Sequence, residues 1–322
     1  MPLSMSRRGV LTALAASGTA AVLARPLPAS AAASPAQHAE VEAGHASPEL
    51  VAAVTSALRD KNTHDVGRTM EHFSRRQLTY TDGTLGLNFP DWDSLRALFA
   101  TYMPQWPASA RSYPTRIIGE ANSGVVLMTD TPEMFGGEIR AISTVDLSAG
   151  RIVRQVDYWD SRHFGVATAA GLRVPDGQYP AEFGERQTGE RAHPTIRRVA
   201  TALAKALSAG DARAATALFT PDAVFEDLAL HAQFIGSKAI NGFLGRALPL
   251  LPYGSGTVVR HVVGGVLGGG YEWRSVTHRT RVGVIALELS RQALITRLTT
   301  TWDAGALNDA AMTALLTKTL ES

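Results

Sequence analysis

The residues best placed to do chemistry are acids at the ends of short apolar runs. In LTYTD, Tyr80 and Asp82 stand two apart; in VDYWD, Asp157 and Trp159 do the same; and Asp130 ends GVVLMTD. Alternate residues of a strand share a face. Tyr80 and Asp82 therefore point together, and so do Asp157 and Trp159. Carboxyls buried close to one another cannot all ionise, so one pKa rises while another stays low, giving an acid and a base in one pocket. This predicts Asp157, Asp130, Tyr80 and Asp82 as a catalytic set walled by aromatics. The competing expectation is structural, with Asp157 and Asp130 as strand-end carboxylates or as ion-pair partners of Arg140 and Arg154.

The elements that must position these residues occur twice along the chain. PELVAAVTSALRDKNTHDVGRTMEHF and HPTIRRVATALAKALSAGDARAATALF each read as a helix, a polar break ending in Asp65 or Asp211, and a second helix. Short β-branched and aromatic runs ending in Asp82 and Asp227 follow. DWDSLRALFATYM and GSKAINGFLGRAL each supply a third helix, and several strands complete each half. Asp160 lies 78 residues after Asp82, and Asp303 lies 76 after Asp227. The order predicts an α+β fold of two tandem cone-shaped domains, each a curved, mostly antiparallel sheet wrapped around three N-terminal helices. The expected domains are 46–168 and 193–320, joined by a polar linker, 169–192, rich in Pro, Gly and charge. In the second half Thr300 stands where the first has Asp157, so Asp157 reads as belonging to a site and the repeated Trp-Asp pairs as belonging to the fold.

Residues 1–31 carry the adjacent Arg7 and Arg8, a short apolar middle and an Ala-Ser-Ala end. That pattern predicts a twin-arginine type signal peptide and a secreted protein. Residues 32–45 read as a disordered leader. The formal charge of +2 includes Arg7, Arg8 and Arg25. The remainder has no basic footprint for nucleic acid, and no membrane span is expected after signal removal. Cysteine is absent, which excludes disulfides and thiolate chemistry. His163, His231, His261 and His278 show no His-x-x-x-His spacing, so neither a metal nor a cofactor is expected. GGVLGGGYEW precedes a strand instead of opening a helix, which predicts a hairpin over a phosphate loop.

With its order of elements, ALSAGDARAATALFTPDAVFEDLALHAQFIGSKAINGFL resembles the superfamily of nuclear transport factor two, ketosteroid isomerase, limonene epoxide hydrolase and SnoaL-like polyketide cyclases. The first domain is most similar to the epoxide-hydrolase branch. Tyr80-Thr81-Asp82, Met128-Thr129-Asp130 and Asp157-Tyr158-Trp159-Asp160 fall in the order of that branch's water-holding, acid and base strands. The resemblance implies Asp130 as acid, Asp157 as base, Tyr80 and Asp82 as orienters, and Trp159 and Met128 against the substrate. Met128 replaces an arginine bridging the two acids in that branch, and Asp82 replaces an asparagine. The second domain is similar to ketosteroid isomerase around VFED, which implies a substrate contact for Asp227. Implied partners are a small apolar ring compound and, through pairing of cones, either a second copy or the other half of this chain. Cofactor-free epoxide opening, cyclisation or isomerisation stands against a non-catalytic secreted ligand-binding or interaction module.

Overall fold

The computed structural model describes residues 40–320. The expected signal peptide and residues 32–39 of the expected leader lie outside the described residues. The first half runs β1 (Glu42–Ala46), α1 (Pro48–Lys61), α2 (Val66–Met70), β2 (Thr79–Asp82), β3 (Leu87–Phe89), α3 (Trp92–Tyr102), β4 (Ser112–Glu120), β5 (Ser123–Asp130), α4 (Pro132–Phe135), β6 (Ile139–Ser148) and β7 (Arg151–Trp159). Two short helices, α5 (Val166–Leu172) and α6 (Glu185–Thr188), punctuate the segment expected to be a plain linker. The second half runs α7 (Pro194–Ser208), α8 (Ala212–Thr216), β8 (Phe219–Asp227), β9 (Ala232–Ile235), α9 (Ser237–Ala247), β10 (Thr257–Gly264), β11 (Gly268–Ser275), β12 (Val282–Leu289), β13 (Ile295–Trp302) and α10 (Asp309–Leu316). Among the described residues no helix is long and apolar enough to cross a membrane.

Two mixed sheets result, ordered β1-β4-β5-β6-β7-β2-β3 and β10-β11-β12-β13-β8-β9. Apart from β1 the two orders correspond, with the short strand after the helices joining the last long strand in parallel, β2 on β7 and β8 on β13. The fold is α+β. Asp65 and Asp211 are the N-caps of α2 and α8, their side chains accepting from the backbone N–H of Arg68 and Ala214, which relieves helix donors that have no partner in the first turn. The expectation of disorder up to residue 45 is corrected by β1. Residues 42–46 lie parallel to β4, with Glu42 opposite Arg116, and the Glu42 carboxylate takes the Arg116 Nε donor at 2.8 Å.

Strand β5 is buried along its whole length, so its apolar run does not alternate. The reason is that both faces are covered. Val126 and Met128 face the helices, whereas Val125 and Leu127 join Ile118, Ile142 and Val156 against Val263, Val282, Val284 and Ala286 of the second sheet. The two sheets thus pack back to back, each with its helices on the far side. The glycine run confirms a hairpin and does more: a Cβ on Gly268 would lie 2.7 Å from Ile118 Cγ2, and one on Gly270 3.0 Å from Val125 Cγ2. The missing side chains let the layers approach.

Inside this apolar seam sits a fully buried ion pair. Arg154 donates from both terminal nitrogens to Glu272, at 2.6 and 2.8 Å, and from Nε to the Phe183 carbonyl at 2.8 Å. Thr144 and Tyr158 donate to the same carboxylate at 2.6 and 2.8 Å. Asp146 and His261 pair beside it at 2.8 Å. Burial alone would raise the Glu272 pKa, but the Arg154 guanidinium and these donors hold it down at about 2. Removing one member of such a pair leaves an uncompensated buried charge, at a cost of about 3–5 kcal/mol. Glu272→Ala is therefore expected to lower the unfolding free energy by about that amount, read from urea denaturation at pH 7. An unchanged midpoint would show that the pair does not hold the seam. A lowered folded pKa means that its contribution is present above about pH 4.3, the ordinary glutamate value, and is lost as pH falls through about 2.

Candidate active site

Along β7 the alternation that sends Arg154, Val156 and Tyr158 into the seam sends Gln155, Asp157 and Trp159 the other way, beneath the helices. There they line a cavity of about 210 Å³. Tyr80, Asp82, Met128 and Asp130 line it as well, and apart from Lys61, Thr69 and Tyr102 the remaining wall is apolar, including Phe73, Leu98, Phe99, Trp106, Phe135 and Ile139. Six sequence-predicted residues, Tyr80, Asp82, Met128, Asp130, Asp157 and Trp159, are thus brought to one chamber. Asp227 is not among them.

Pairing places the acids side by side, with Asp82 opposite Asp157 across β2–β7 and Ser143 opposite Asp157 across β6–β7. Asp157 Oδ2 accepts from the Tyr80 hydroxyl at 2.5 Å, and Oδ1 accepts from Ser143 Oγ at 2.6 Å and Gln155 Nε2 at 2.9 Å. Burial raises the Asp157 pKa; Ser143, Tyr80 and Gln155, with the charge of Lys61, pull it back. Asp82 Oδ1 accepts from the Leu85 N–H at 2.8 Å and Oδ2 from the Trp159 indole at 3.0 Å. Burial lifts Asp82 to about 7 against those two donors, and the Asp157 charge adds to the rise. Burial and Asp157 together push Tyr80 well above the ordinary phenol value, so it remains a neutral donor.

Neither Arg140 nor Arg154 serves these acids: Arg140 pairs with Glu138 at 2.7 Å, and Arg154 lies in the seam. Instead Lys61, at the end of α1, donates to Asp130 Oδ1 at 3.2 Å, and Ser112 donates to the same oxygen. A cation therefore does reach Asp130, supplied from a helix and not from the strand that carries it. Lys61, Ser112, Ser143 and Gln155 were missed by sequence reasoning. Gln155 was findable, being two residues before Asp157 on the same strand face, and Lys61 had no signal beyond being a basic residue in a last helical turn.

The second sheet repeats part of the arrangement. Asp227 Oδ1 accepts from the Leu230 N–H at 3.0 Å, and Oδ2 from the Trp302 indole at 3.2 Å and the Tyr253 hydroxyl at 2.9 Å. Trp302 thus does for Asp227 what Trp159 does for Asp82, which gives the repeated tryptophan its physical role. Thr300 sits opposite Asp227, its hydroxyl donating to the Val284 carbonyl at 2.9 Å. The interior is taken up by Tyr253, Trp273 and Phe243, all fully buried. The Trp273 ring lies against Gly283, where a Cβ would come within 2.4 Å of it. Residues with metal-ligating side chains converge elsewhere, at Asp160, His163 and His231.

No family model and no curated protein matches the chain. Similar solved structures include a protein with a cystatin-like fold from Silicibacter pomeroyi, 22% identical, covering 39% of this chain and 83% of that one with a TM-score of 0.31. A steroid delta-isomerase from Pseudomonas aeruginosa is 12% identical over 41% of this chain and 93% of its own, with a TM-score of 0.31. A candidate SnoaL-like polyketide cyclase from Shewanella denitrificans is 15% identical over 36% and 94%, also with a TM-score of 0.31. Each is a similarity of fold.

An acid whose folded pKa is raised stabilises the protein fully below its unfolded value, near 3.9, and loses that contribution as pH rises through about 7. Carbon-13 NMR of the side-chain carboxyls should show a resonance titrating near neutrality that vanishes in Asp82→Asn. The variant should also flatten part of the fall in melting temperature between pH 4 and 7. A spectrum unchanged by the substitution would refute the assignment.

Proposed function

We propose that the first cone binds a small, largely apolar ring compound and performs cofactor-free acid–base chemistry on it, with Asp157 as the base. The observation that carries this reading is the oriented Asp157 carboxylate, tied to Tyr80 at 2.5 Å beside a carboxyl with a near-neutral pKa in a chamber walled mostly by apolar side chains. Burial weakens solvation of the anion and so strengthens it as a base, while the fixed donors keep its geometry. Asp157 takes a proton from water or from a carbon acid of the ligand. The Lys61–Asp130 pair is the second polar group of the chamber; with Lys61 donating, its ammonium is the proton-bearing member that meets the oxygen on which charge develops. Epoxide opening, cyclisation and isomerisation all share this division of labour. Export is proposed on the strength of residues 1–31 alone.

One observation favours a second reading, a container without chemistry: all three donors around Asp157 are already engaged with it. The two readings separate when the protein and its Asp157→Asn variant are incubated with a small-molecule extract in heavy-oxygen water and analysed by mass spectrometry. General-base catalysis is worth about 10²–10⁴ in rate, so the variant is expected to retain ligand and lose turnover by that factor. A product carrying labelled oxygen identifies hydrolysis, and an unlabelled isomer identifies cyclisation or isomerisation. Ligand carried through unchanged by both proteins overturns the catalytic reading in favour of the container.

A further inference from the structure

Just beyond the ends of β7 and β8, three side chains of metal-binding type converge that are far apart in sequence. Asp160 follows β7, His163 lies in the turn after it, and His231 lies in the β8–β9 connection of the second sheet. One ligand atom from each can be chosen so that all lie within 4.8 Å of one another. The two imidazoles meet edge to face, with ring centres 5.2 Å apart at 77°. They border an open cleft of about 340 Å³ that is distinct from the catalytic chamber and lined also by Arg140, Glu226 and Asp227. We propose that Asp160, His163 and His231 form a binding site for a divalent transition-metal ion of the zinc type, bridging the two sheets.

The donor set selects the class of ion. Two imidazole nitrogens and one carboxylate oxygen suit zinc, copper or nickel, whereas calcium and magnesium demand oxygen ligands throughout. Of the two neighbouring guanidinium groups, one is paired with a carboxylate outside the site and the other occupies a single oxygen of Asp160. Arg162 donates to Asp160 Oδ2 at 2.8 and 2.6 Å and also to the Ala229 carbonyl, and Arg140 is paired with Glu138. Among the described residues Asp160 Oδ1 accepts only the backbone N–H of Arg162, at 3.1 Å, which leaves it a lone pair for a metal. Arg162 thereby fixes the carboxylate as a supporting group would, since ligating carboxylates are themselves hydrogen-bonded. His231 holds a left-handed backbone conformation, φ +52°, of the kind that persists where the surroundings over-determine it. With three protein ligands, a zinc-type ion keeps a position for water or an exchangeable ligand. Both histidines are exposed, so the ion can enter from solvent.

The test is titration of the untagged, metal-free chain with zinc by calorimetry and with cobalt by visible absorption. One ion per chain is expected, with cobalt giving the d–d bands of a low-coordinate site with nitrogen ligands. His163→Ala and His231→Ala should each weaken zinc binding at least tenfold without changing the metal-free melting temperature, and His278→Ala should leave it as in the parent chain. Zinc should raise the melting temperature of the parent and not of the His163→Ala/His231→Ala double variant. Equal zinc affinity in the parent and the double variant, or binding weaker than millimolar in the parent, would overturn the proposal.

Discussion

The buried pairing of Arg154 with Glu272 is the constraint around which the rest of the molecule is arranged. Two charges taken out of water are tolerable only when their geometry is good and their remaining lone pairs and protons are satisfied. Thr144, Tyr158 and the Phe183 carbonyl complete that shell. Because Arg154 sits on β7, the pair also fixes which face of β7 looks into the seam. Shifting the strand by one residue would expel Arg154 from its partner and turn Asp157 into the seam, since alternate residues exchange faces. The interaction that joins the sheets therefore also aims Asp157 into the chamber.

The chamber exists because its interior is incompletely filled. In the second cone Tyr253 and Trp273 fill the space around Asp227, and the carboxyl is sealed by a phenol, an indole and a backbone donor. In the first, the helices leave a hollow bordered by Asp82, Asp130 and Asp157. The same turn device, an acid accepting a backbone N–H and an indole N–H, is used in both. What differs is whether a ligand has room beside it.

Much of this was legible in the residues. Period-two alternation in VDYWD aligned Asp157 with Trp159, and the turn acids Asp82 and Asp227 marked corresponding corners. Other parts depend on contacts that no local pattern encodes. Lys61 reaches Asp130 across 69 positions and Arg154 reaches Glu272 across 118. The order of residues 42–46 comes from pairing with β4, which overrides a polar, small-residue composition. Linear spacing likewise hid the neighbourhood of His163 and His231, because it is made by the packing of one sheet on the other.

The two halves of the pairing belong to one chain. When identical subunits associate, every substitution appears on both sides of the axis, so a change that hollows one interior hollows both. Here Asp157 and its positional counterpart Thr300 are different residues of one chain. The solid half can hold the fold while the hollow half changes its interior, a freedom that a symmetric assembly lacks.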